Sequence, residues 1–88
     1  MADLIVASYN VDGLKDPNKR KQIFDFLSQK PYDIILLQEV HVQETDIKQW
    51  KLEWKGFSIW NPGLTSKTCG SGILINQNKQ VTVIDYKK

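Results

Sequence analysis

The sequence predicts an α/β fold in which a βαβ unit leads into a short helix and then antiparallel strands. Three observations carry that reading. Two short apolar runs rich in β-branched residues, Leu4–Tyr9 and Asp33–Gln38, have strand length rather than helix length. Between them lies a segment with apolar residues at helical spacing, opened by Asp16-Pro17 and closed by Pro31. Beyond Gly56, apolar and polar residues alternate in short stretches divided by turn residues.

The first run is nearly continuous in its apolar character, which predicts a strand covered on both faces. Asn10-Val11-Asp12-Gly13 follows as a loop signal. Asp16 is a good N-cap and Pro17 suits the first helical position. Ile23, Phe24 and Leu27 then form an apolar stripe that Phe26 widens, while Lys19, Arg20, Asp25 and Lys30 make the polar face. The second run is read as another buried strand. Strand, helix and strand together span about 35 residues, the size of a βαβ unit. Such a unit makes the two strands parallel, with both C-terminal ends on one side of the sheet. From Gln43 to Trp54, Ile47, Trp50 and Trp54 recur at helical spacing, and Gly56 ends that helix. Phe57–Trp60 alternates as a strand and breaks at Asn61-Pro62-Gly63. Gly72–Asn76 and Val81–Tyr86 read as a hairpin across Gln77-Asn78-Lys79.

Composition narrows the function classes. At 88 residues the chain is one small domain or a piece of a larger one, and one cysteine, Cys69, cannot form an internal bridge. The lone thiol and the absence of a signal-like start point to a reducing, intracellular setting. No apolar run approaches the ~20 residues of a membrane span, so no membrane partner is expected. With 41% hydrophobic residues, five Gly and three Pro, collagen-like and low-complexity classes are excluded. A net charge of +2 permits a nucleic-acid partner without arguing for one.

The residues that can carry chemistry stand just after the two parallel strands, where α/β sheets bind ligands. The first strand delivers Asn10 and Asp12, the second Gln38 and Glu39. Neighbouring strands lie about 4.8 Å apart, so Asn10 and Glu39 can face one point. An amide oxygen and a carboxylate with room for water suit Mg²⁺, and Asp12 can add a second carboxylate. The same residues are also ordinary turn formers and a solvated strand end. Lys15, Lys19, Arg20 and Lys21 cluster at the start of the helix, where a phosphate would meet both charge and dipole; a solvated face is the alternative. Trp60, beside a turn, is the better surface candidate for stacking on a base, whereas Trp50 belongs in the core. His41 can contact phosphate or order its own loop.

These segments carry a resemblance. Ser8–Lys15 resembles the first motif of the exonuclease–endonuclease–phosphatase superfamily, and Asp33–Glu39, ending in Leu-Gln-Glu, resembles its second. Cys69–Ile75 is similar to the Ser-Gly strand start that follows. Two ordered motifs on the two strands of one βαβ unit are far more specific than either alone. The likeness is nearest to apurinic endonucleases and to the endonuclease domains of non-LTR (LINE-type) retrotransposons; the helix with its Lys19-Arg20 pair, His41 two places after Glu39, and the run holding Trp50, Trp54 and Trp60 favour the retrotransposon branch.

The resemblance implies the N-terminal part of a four-layer α/β-β/α sandwich, all 88 residues forming one fragment without an internal boundary. It implies a Mg²⁺-dependent DNA endonuclease, with Mn²⁺ as an alternative ion and a nuclear location if the parent is a retrotransposon protein. Glu39 would be the metal carboxylate, Asn10 would orient or bind that site, and Asp12 would touch a second metal or the metal waters. Asn10 and Glu39 are thus the catalytic candidates; Lys15, Arg20, His41 and Trp60 are weaker candidates for nucleic-acid contact. The chain departs from the pattern at Tyr9 (commonly Trp), Val40 (commonly Thr) and Ser71 (commonly Val), the last placing a hydroxyl at a usually buried position. The later Tyr, Gly-Asp-x-Asn and Ser-Asp-His motifs are absent, so the segment alone is expected to be inactive and to need the remainder of the domain. A sheet edge and one sheet face should then lie bare. The alternatives are a non-catalytic remnant or binding module, or a fragment of a superfamily phosphatase or RNA nuclease.

Overall fold

The computed structural model describes residues 4–62 and 70–76. Strand β1 (Val6–Asn10) is followed by helix α1 (Pro17–Ser28), strand β2 (Ile34–Gln38), helix α2 (Glu44–Glu53), strand β3 (Phe57–Asn61) and strand β4 (Ser71–Ile75). They form a four-stranded sheet in the order β1-β2-β4-β3. The expected βαβ unit is present: β1 and β2 are parallel neighbours, with Asn10 level with Gln38. β4 inserts antiparallel between β2 and β3. It therefore pairs with both of them; the second strand of the expected hairpin, Val81–Tyr86, lies outside the described residues, as does Cys69.

Local signals set the helices. The Asp16 carboxylate accepts from the backbone N–H groups of Asn18 and Lys19, and Pro17 takes the first turn. For α2, the Asp46 carboxylate accepts the Gln43 N–H at 3.0 Å. Among the described residues, no helix is long and apolar enough to cross a membrane.

The core lies on one face of the sheet. Ile35, Leu37, Trp60 and Leu74 point into it and meet Phe24 and Leu27 of α1 and Trp50 of α2. Trp60 is its hub, with its ring edge-on to Trp50 at 5.2 Å and tilted against Phe24 at 6.2 Å. That ring lies across Gly72, where a Cβ would stand 2.5 Å from it, so only glycine admits the indole. Trp54 packs edge-on to Phe24 at 5.6 Å and donates its indole N–H to the Ile75 carbonyl. Phe26 does not widen the buried stripe. It is 48% exposed and borders an apolar groove with Tyr9, Ile23 and Leu27.

The opposite face corrects the expectation of strands buried on both sides. Register places Val6, Ile34, Ile75 and Phe57 in one row, and Ser8, Leu36, Ile73 and Ile59 in the next. Val6, Leu36, Phe57 and Ile73 are exposed there. β1 is also at the sheet edge, which leaves Leu4 and Ile5 exposed too. A third row, Asn10, Gln38, Ser71 and Asn61, is polar. Ser71 is exposed in this row, so its hydroxyl is solvated rather than buried.

Candidate metal centre

The loops leaving β1 and β2 are zipped together beyond the strand ends. Val11 N–H donates to the Gln38 carbonyl, Gly13 N–H to Glu39 and Leu14 N–H to Val40, at 2.7–3.1 Å. Buried side chains fasten both loops from below. Val11 and Leu14 enter the core from the first loop, and Val40 and Val42 from the second. The residues between them are thereby turned outward: Asp12 and Glu39 are exposed and His41 is half-buried. Asp12, Glu39 and His41 all have left-handed backbones, with φ of 49°, 54° and 58°. Val40, where Thr is usual, serves as an apolar anchor, and its N–H donates to the Gly70 carbonyl.

Asn10 organises the group. Its side-chain NH₂ donates to the Glu39 carboxylate, and its Oδ1 accepts the Asp12 N–H at 3.1 Å. One amide thus fixes both the carboxylate of one loop and the backbone of the other. Lys19, reaching back from α1, donates to the carbonyls of Val11 and Asp12 and closes the turn.

One ligand atom each from Asp12, Glu39 and His41 lies within 4.8 Å of the other two. Among the described residues, neither carboxylate is in an ion pair with a basic side chain. Two carboxylates at such range repel unless a cation joins them. The donor set fits a divalent ion: hard oxygens first, with space for water. Gly13 makes the cradle possible. Its φ is +90°, and a Cβ there would stand 2.8 Å from His41 Nδ1. The structure therefore brings together Asn10, Asp12 and Glu39, as the sequence predicts, and adds His41 to them. The sequence signal for that addition is the Glu39-Val40-His41 spacing, in which a buried residue separates two outward ones.

The weaker nucleic-acid candidates fare differently. Trp60 is buried, 1% exposed, because β3 alternates Ser58 and Trp60 inward. Its indole N–H donates to Ser58 Oγ, so it has no face for a base. Arg20 is also buried, at 7%. Its guanidinium grips Glu53 with Nε and Nη2, donates to the Leu14 and Lys15 carbonyls, and stacks 5.1 Å from the Trp50 ring. It is a brace between α1, α2 and the site loop rather than a surface cation. The Arg20 hydrogen bonds, opposed by partial burial, hold the Glu53 carboxyl below the usual range. Lys15 is half-exposed but pairs with Asp46 and donates to Gln43. Burial pushes Asp46 up, yet the Lys15 ammonium and the Gln43 N–H outweigh it and leave its carboxyl lowered.

Two comparisons bear on what this arrangement belongs to. The chain is 33% identical over 81 residues to the Transposon TX1 uncharacterized 149 kDa protein of Xenopus laevis. That alignment takes in 92% of this chain and 6% of the relative, so the chain spans a small part of the relative's length. Residues 7–86 match the Endonuclease/Exonuclease/phosphatase family, a stretch that holds both strand-end loops and every residue of the acidic group. With its parallel β1–β2 pair delivering Asn10, Asp12 and Glu39 to one point, the chain belongs to the Endonuclease/Exonuclease/phosphatase family.

Proposed function

We propose that this chain is the N-terminal segment of a Mg²⁺-dependent DNA endonuclease that nicks target DNA, as in LINE-type retrotransposition. The observation that carries the reading is the convergence of Asn10, Asp12 and Glu39 at the ends of two paired parallel strands. Family membership supports nuclease-type chemistry, and similarity to a transposon protein supports DNA as the substrate. Glu39 and Asp12 would hold the ion, and Mn²⁺ could replace Mg²⁺ on the same oxygens. When bound, the ion would polarise the scissile phosphate and stabilise the leaving oxygen. Asn10 keeps the Glu39 carboxylate aimed and pins the Asp12 turn, while Lys19 locks the loop from behind. The water-activating base and its orienting partner come from sequence beyond this segment. The exposed apolar rows of the sheet support a second layer supplied by the remainder of the domain. Nuclear residence follows from the same reading.

The test is nicking of supercoiled plasmid by a longer parent protein. We expect cleavage with Mg²⁺, none from Glu39→Ala, and none from the 88-residue chain alone. Undiminished nicking by Glu39→Ala removes the assignment.

A further inference from the structure

We infer that His41 is the third protein donor of the metal centre, making it a two-carboxylate, one-imidazole site that favours Mn²⁺ more than the carboxylates alone would. The inference rests on the metal reading of Asp12 and Glu39 and adds a ligand to it.

Four features converge on His41. One of its ring nitrogens lies within 4.8 Å of carboxylate oxygens from both Asp12 and Glu39. Two donors opposed across a Mg²⁺ or similar ion stand roughly 4.2 Å apart, so small rotations of the exposed acids close the set. The backbone that carries the ring is anchored, because Val40 and Val42 on either side are buried. The ring rests against Gly13, at a distance that any side chain there would abolish. Finally, among the described residues no hydrogen bond or ion pair engages the imidazole.

The third donor changes which ion is preferred. Carboxylate oxygens alone suit Mg²⁺, Ca²⁺ and Mn²⁺ with little distinction, whereas imidazole bonds first-row transition ions better than Mg²⁺. A neutral imidazole also leaves the charge of the centre unchanged, with two carboxylates against one dication.

The test uses the full chain with Mn²⁺ as probe. His41 is the sole histidine, so selective ¹⁵N-histidine labelling reports on one ring. Pulsed EPR of the Mn²⁺ complex should show a directly coordinated nitrogen whose coupling changes with that label. His41→Asn is the variant of choice, because Asn tolerates the left-handed backbone found at this position. It should lose the nitrogen coupling and weaken Mn²⁺ about tenfold, with a smaller change for Mg²⁺ measured by competition. If Mn²⁺ binds through Glu39, yet shows no nitrogen coupling and is indifferent to His41→Asn, the inference is overturned and the carboxylate centre stands. Mn²⁺ binding unaffected by Glu39→Gln overturns both.

Discussion

The two faces of the sheet are built from similar residues and have opposite fates. On one, Ile35, Leu37, Trp60 and Leu74 are sealed beneath α1 and α2. On the other, Val6, Leu36, Phe57 and Ile73 stand exposed in register across the strands. A sheet meant to have one wet face alternates apolar with polar residues; these strands do so only at Ser8 and in the last row, near Asn10. The apolar rows are thus suited to a cover and the polar row to solvent or ligand. Apolar content thus reports what a strand is fitted for, whereas burial reports what lies against it here.

The largest effect belongs to the hub of the covered face. Trp60→Ala removes an indole packed against Trp50, Phe24 and Gly72, and should cost about 3–5 kcal/mol in urea unfolding. A smaller loss follows from the brace beneath that face. Glu53→Gln takes the charge from the two-point contact with Arg20 and should cost about 1–2 kcal/mol. Acid should mimic it. Because the folded-state carboxyls of Glu53 and Asp46 are depressed, their stabilisation is complete above the ordinary carboxylate range, ~4. It is lost as pH falls through the depressed values, and Glu53→Gln should flatten that acid limb in a pH series of thermal melts. The smallest effect belongs to the open face. Ile73→Thr should change unfolding stability by less than about 0.5 kcal/mol while reducing self-association in sedimentation. A large stability loss there would show that the face is covered after all.

The strand-end convergence was legible because a βαβ connection dictates it: once Leu4–Tyr9 and Asp33–Gln38 are parallel neighbours, Asn10 and Glu39 must meet. The capping of α1 by Asp16 was legible for the same local reason. Trp60 was misplaced because the adjacent Asn61-Pro62-Gly63 suggested an exposed turn, while the strand's two-residue period turned it inward with Ser58. Arg20 was misplaced by its charge. It lies four and seven positions before Phe24 and Leu27, on the buried stripe, where only the distant Glu53 and two loop carbonyls make a guanidinium tolerable. His41's place beside the two carboxylates was only partly legible: the Glu39-Val40-His41 spacing turns both outer residues outward, but the left-handed backbone at Asp12, Glu39 and His41 that gathers them is not written in any residue type there.

The hydrogen bonds that carry the ladder past β1 and β2 into the acidic loops have one further effect. A slack acidic loop surrenders much of its freedom when it closes on an ion; these loops have already surrendered it in folding. A divalent ion captured here would be opposed mainly by dehydration of the ion and its donors.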